Sequence, residues 1–103
     1  MTSTASITSL LTILVRWAAN ESRILTIALV DSYAQGKARS DSDVDLVILT
    51  STPEAFRQET QWMQEIAWEH IQAHITRWRD AEYGPLWSRH VQLSTGLEVE
   101  MIP

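Results

Sequence analysis

Asp43 and Asp45 are the residues of this sequence whose type and spacing best suit chemistry. They flank Val44 at the head of an apolar run, Val44 to Leu49. Side chains alternate along an extended strand, so both carboxylates project from one face. Two such charges a pleat apart repel unless a cation joins them, and a ligand set made only of oxygen suits a hard ion such as Mg²⁺ or Mn²⁺. The same alternation near the C-terminus puts Glu98 and Glu100 on one face and Leu97, Val99 and Met101 on the other. A neighbouring strand can thus supply a third carboxylate. Upstream, Ser32 to Gly36 lies between a strand and the entry to a helix, where backbone N–H groups and a hydroxyl can hold phosphate oxygens. Lys37 and Arg39 are close enough in sequence to offset the charge.

These residues need elements to position them. Ile7, Leu10, Leu11, Leu14, Trp17 and Ala18 recur at helical spacing, with Ser3 or Thr4 as a cap and Asn20 where the helix ends. Ile24 to Val30 reads as a buried strand, and the polar stretch 31–42 as a loop. Val44 to Leu49 is a second strand. Pro53 opens a helical stretch that breaks and resumes before Trp62, after which Trp62, Met63, Ile66, Ala67 and Ile71 form another amphipathic face. Strands over 74–79 and 86–93 are separated by Gly84-Pro85, and Ser94-Thr95-Gly96 turns into a last strand over 97–102. The pattern predicts one α+β domain over residues 1–103, a mixed β-sheet with helices packed on one face.

Composition limits the partners. The 103 residues carry a net charge of -5, which argues against a general DNA- or RNA-binding surface, since phosphate contacts need clustered Lys and Arg. The absence of cysteine excludes disulfides and thiolate metal sites and fits a reducing cytoplasm. The apolar run Leu10 to Trp17 is too short to span a membrane and no basic region precedes it. A cytoplasmic protein is expected.

The stretch from Val30-Asp31-Ser32 through Gly36-Lys37 to Asp43-Val44-Asp45-Leu46-Val47-Ile48 resembles the signature of the DNA polymerase β-like nucleotidyltransferase superfamily: a hydrophobic residue, Gly-Ser, a spacer, then Asp-x-Asp within a strand. Ten residues separate Ser32 from Asp43, the spacing typical of minimal nucleotidyltransferases, among them antitoxins paired with HEPN-type toxins. Leu97-Glu98-Val99-Glu100-Met101-Ile102-Pro103 is similar to the segment bearing the family's third acidic residue. Glu98 is the better match, and Glu100 points to the same face.

The resemblance implies the nucleotidyltransferase fold and transfer of a nucleoside monophosphate from a triphosphate, such as ATP, to a hydroxyl acceptor on a protein side chain or a small molecule. Two Mg²⁺ ions would be held by Asp43, Asp45 and Glu98, while Ser32, the backbone near Gly36, and Lys37 would grip the phosphates. Glu98 would also assist deprotonation of the acceptor.

Two departures support a second reading, a catalytically impaired binding module acting through a partner such as a HEPN-type toxin. Asp31 stands where the family has Gly. Pointed inward, its charge would weaken triphosphate binding; turned toward Lys37 or Arg39, it would cost little. Related chains also continue beyond their last acidic strand, so contacts to base or acceptor are expected to be absent or to come from another subunit in a homo- or hetero-oligomer.

The remaining conspicuous residues read more plainly. His70 and His74 have metal-ligand spacing but no companion, which makes them a surface pair. Trp62, Trp68, Trp78 and Trp87 are core or interface residues, with base stacking as the alternative. Arg77, Arg79 and Arg89 read as solvated sheet charges, with an acceptor phosphate as the other use.

Overall fold

A computed structural model of the chain describes residues 4–30 and 44–103. Its elements run α1 (Thr4–Ala19), β1 (Ile24–Val30), β2 (Val44–Thr50), α2 (Pro53–Gln58), α3 (Gln61–Gln64), a 3₁₀ turn (Trp68–Ile71), β3 (Ile75–Tyr83), β4 (Leu86–Leu93) and β5 (Glu98–Ile102). The strands form one sheet in the order β1-β2-β5-β4-β3. The β2–β5 pair is parallel, and the β1–β2, β4–β5 and β3–β4 pairs are antiparallel. The α+β architecture with a mixed sheet is the one predicted. Asp31, Ser32, Gly36, Lys37, Arg39 and Asp43 lie outside the described residues.

Period-two burial sorts the sheet into two faces. Val44, Leu46 and Ile48 of β2, Val99 and Met101 of β5, and Trp87, Val91 and Leu93 of β4 all turn to the core. Against them pack Leu10, Ile13, Leu14 and Trp17, the i, i+3, i+4, i+7 stripe of α1. Each fully buried aliphatic or aromatic side chain of this kind contributes about 1.5–3 kcal/mol. Asn20 closes α1, its side-chain amide donating to the Arg16 carbonyl at 2.9 Å.

The segment after β2 is helical but broken. Pro53 sits at the start of α2, where its missing N–H removes nothing the helix would use. Beyond α3, the single amphipathic helix expected through Ile71 does not form. Ala67 has non-helical angles (φ -80, ψ 61) before the 3₁₀ turn. The Trp68 indole donates to the Met63 carbonyl at 2.8 Å, taking an acceptor that a continuing helix would have given to a backbone N–H. Trp62 is similarly fixed, its indole reaching the Phe56 and Glu59 carbonyls at 2.9 and 3.1 Å while its ring stacks on Trp17.

Tight turns set the register of the last three strands. Tyr83 pairs with Leu86 across Gly84-Pro85, and Gly84 has φ +63, the left-handed conformation a two-residue hairpin turn demands. β3 runs to Tyr83, past the end at residue 79 that the sequence predicts, because β4 pairs with it down to this turn.

Arg89 departs most from its sequence reading. It is 1% exposed rather than solvated. Its guanidinium forks onto Asp80 (2.7 and 3.2 Å) and donates to the carbonyls of Glu59 (2.8 Å) and Arg57 (2.9 Å), just where α2 ends. The plane is sandwiched near Trp78, Trp87 and Trp62. A charged fork here satisfies carbonyls that a helix end leaves without partners, and so ties the α2–α3 segment to β3 and β4.

Candidate active site

Asp45, Glu98 and Glu100 share one face of the sheet because β5 lies between β2 and β4. In the parallel pair Asp45 is the direct partner of Glu100, and Val44 of Val99. Val44 and Val99 are buried in the core, so alternation turns Asp45 and Glu100 to the opposite face, on strands about 4.8 Å apart. Glu98 stands one pleat from Glu100 on that face. Glu98 and Glu100 retain 25% and 19% side-chain exposure, enough for an ion or substrate to reach them.

The antiparallel partner strand supplies polar neighbours that the sequence reading missed. The Ser88 hydroxyl donates to Glu100 at 2.7 Å. The two ring nitrogens of His90 divide between the carboxylates, Nδ1 lying 3.1 Å from Glu98 and Nε2 3.4 Å from Glu100. The Tyr83 hydroxyl is also 3.4 Å from Nε2. Both glutamates are thereby held in defined orientations. The signal for this network was present: Ser88 and His90 are two apart on a predicted strand, and the turn at Gly96 folds that strand back against Glu98 and Glu100.

Register extends the arrangement across four strands. Arg79 of β3 pairs with His90, His90 with Glu100, and Glu100 with Asp45. A cation therefore stands at one end of the row and two carboxylates at the other. A parallel row holds Arg77, Gln92 and Glu98. A cavity of about 220 Å³ lies over β3 and β4, lined by Arg77, Trp78, Arg79, His90, Gln92 and Glu98.

Among the described residues, no three acidic, His or Cys side chains converge as a metal site. The acidic end nevertheless offers hard oxygen donors, the type a divalent cation such as Mg²⁺ takes. His70 and His74 are both exposed and form no part of this region. Trp62, Trp68 and Trp87 are buried in the core. Among the described residues, no helix is long and apolar enough to cross a membrane.

No curated protein matches the chain. Among solved structures, an aminoglycoside 6-adenyltransferase from Bacillus subtilis is similar, with a TM-score of 0.62 at 18% identity over 90% of this chain. That likeness is one of fold, and the chain spans 32% of that enzyme's length. The family model described as "Polymerase beta, Nucleotidyltransferase" matches residues 14–83, more than half of the sequence and including Ser32, Asp43 and Asp45. The chain belongs to the polymerase β nucleotidyltransferase family.

Proposed function

We propose that this chain transfers a nucleoside monophosphate from a nucleoside triphosphate to a hydroxyl acceptor, a protein side chain or a small molecule, in a Mg²⁺-dependent reaction in the cytoplasm. The single observation that carries the reading is the direct pairing of Asp45 with Glu100 on adjacent strands, with Glu98 one pleat away, in a chain of this family. Asp43, Asp45 and Glu98 are the residues we assign to Mg²⁺, with Glu100 as the alternative third ligand. Bound there, Mg²⁺ would neutralise charge on the triphosphate and on the attacking and leaving oxygens. Ser32, the backbone near Gly36, and Lys37 are assigned to the phosphates.

In the transfer, the acceptor oxygen forms a bond to the α-phosphorus as the bond from that phosphorus to the bridging oxygen of pyrophosphate breaks. Pyrophosphate leaves with that oxygen. The hydroxyl proton passes to a carboxylate, for which Glu98 is suited, because His90 at 3.1 Å fixes its orientation.

Transfer of label from α-³²P-ATP with Mg²⁺ tests the proposal. Label should reach an acceptor with the parent chain and fall by about 100-fold or more with Asp45→Asn. Absence of transfer together with absence of calorimetric Mg²⁺-ATP binding would refute it. Asp31 favours one other reading, a nucleotidyltransferase fold that has lost turnover and acts by binding a partner, such as a HEPN-type protein. Under that reading Asp31→Gly raises ATP affinity markedly while the parent chain transfers nothing.

A further inference from the structure

The cavity over β3 and β4 lies beside the candidate carboxylates and is not explained by them. Its two walls differ in charge. On the β3 side stand Arg77 and Arg79, both exposed. Arg77 donates through Nε to the Gln92 amide oxygen at 2.5 Å, a neutral contact that orients the guanidinium, and it has no acidic partner among the described residues. Arg79 makes no ion pair or hydrogen bond among the described residues. On the β5 side stands Glu98, with His90 between the two walls and bonded to it.

We infer that this cavity, with Arg77 and Arg79 on one wall and the His90–Glu98 pair on the other, is the acceptor subsite and takes an acceptor that carries an anionic group. The inference rests on the nucleotidyl-transfer reading above and specifies the acceptor it left open. Glu98 repels an anion and receives a proton, so the reacting hydroxyl belongs on its side. The two guanidiniums, which have no acidic partner among the described residues, attract a phosphate monoester or carboxylate, and their planar forks match either group. Two strand spacings separate β5 from β3, so hydroxyl and anion stand roughly 5–10 Å apart in the acceptor. The volume, about 220 Å³, is below the roughly 300–1,000 Å³ of clefts that swallow a drug-sized ligand. A small phosphorylated or carboxylated alcohol fits this description, and a polycationic acceptor opposes it by charge.

NMR titration of the isotopically labelled chain tests the inference without depending on turnover. The probes are glycerol 3-phosphate, glycerate and glycerol, followed through the arginine Nε–H and histidine ring signals. Glycerol 3-phosphate or glycerate should shift the Arg77, Arg79 and His90 signals saturably, and uncharged glycerol should not. Comparing the two anions separates phosphate from carboxylate as the preferred group. Each of Arg77→Gln and Arg79→Gln should weaken binding about tenfold. Asp45→Asn should leave it within about twofold while abolishing Mg²⁺-ATP binding. Mg²⁺-ATP binding without any anion-dependent shift at the arginines would overturn the acceptor assignment and leave the transfer reading standing. Anion binding at the arginines in a chain that binds no Mg²⁺-ATP would overturn both. Equal shifts with glycerol and its phosphate would show that charge plays no part, and would also overturn the inference.

Discussion

The β3–β4 hairpin carries arginines on both of its faces, and they are used in opposite ways. Arg89, on the core face, is 1% exposed and has a partner for each of its nitrogens, including a forked contact to Asp80. Arg77 and Arg79, on the opposite face, are exposed and together have one neutral partner, Gln92, among the described residues. The chemical group is the same and the strands are the same. A cation whose donors are all taken by its own chain does structural work, because nothing else can bind it without breaking the fold. A cation with donors left over can serve a ligand.

Substitution on each face should separate the two roles. The largest effect is expected from Arg89→Met, which strands the Asp80 carboxylate and leaves helix-end carbonyls without donors. It should cost about 3–5 kcal/mol, read as a lower denaturant midpoint, with Arg89→Lys recovering little because an ammonium cannot span the same fork. A loss below 1 kcal/mol would erase the contrast between the faces. Next comes Asp45→Asn, which should abolish Mg²⁺-ATP binding by calorimetry, because one of the two carboxylates paired across β2 and β5 loses its charge. Glu98→Gln and Glu100→Gln then sharpen the site. The one that supplies the third carboxylate should lower turnover about 100-fold, and the other by less than tenfold. Ser88→Ala should cost about 1 kcal/mol, since a buried hydroxyl loses its bond to Glu100. Arg77→Gln and Arg79→Gln should stay within about 0.5 kcal/mol of the parent in stability.

The smallest effect is a dependence on pH at the entry to β1. Arg23, bonded to Glu21, holds the Glu21 carboxyl below its ordinary value of 4.5. A carboxyl depressed in the folded state contributes stability fully above its unfolded value and loses it as pH falls through the folded one. The pair is partly exposed, so the contribution is small and screened by salt. Glu21→Gln should lower stability slightly near neutrality, and the difference from the parent should vanish as pH falls below 4.5 through the depressed value.

Local pattern made much of this fold legible. Helical spacing marked α1, β-branched runs marked β1 and β2, and Gly84 and Gly96 marked the turns that bring β3, β4 and β5 side by side. What it could not show were interactions between segments distant in sequence. The apolar spacing from Trp62 to Ile71 suits a continuous helix until the Trp68 indole takes the Met63 carbonyl. Arg89 looks like one more strand charge until carbonyls from the α2 end are laid over it. In the candidate site, the Asp-x-Asp and Glu-x-Glu patterns were visible, as was their common face. The pairing of Asp45 with Glu100 was not, because parallel register is fixed by contacts that no short window of sequence contains. The role of His90 depends likewise on the β4–β5 pairing, which sets it opposite Glu100 and beside Glu98.

The position of β5 also has a consequence for the order in which the sheet is assembled. β3, β4 and β5 form a meander joined by short turns, and β1 and β2 form an antiparallel pair of their own. Each is a local unit that closes over a modest stretch of chain. Among the described residues, the parallel pairing of Val44 to Val47 with Val99 to Ile102 is what joins the two units into one sheet. It is also the strand pairing of longest reach, and pairings of that kind bear a large loop-closure cost in folding. Asp45 arrives on one unit, and Glu98 and Glu100 arrive on the other. Asp45 and Glu100 therefore face each other across a seam, and their pairing exists only after both halves have docked.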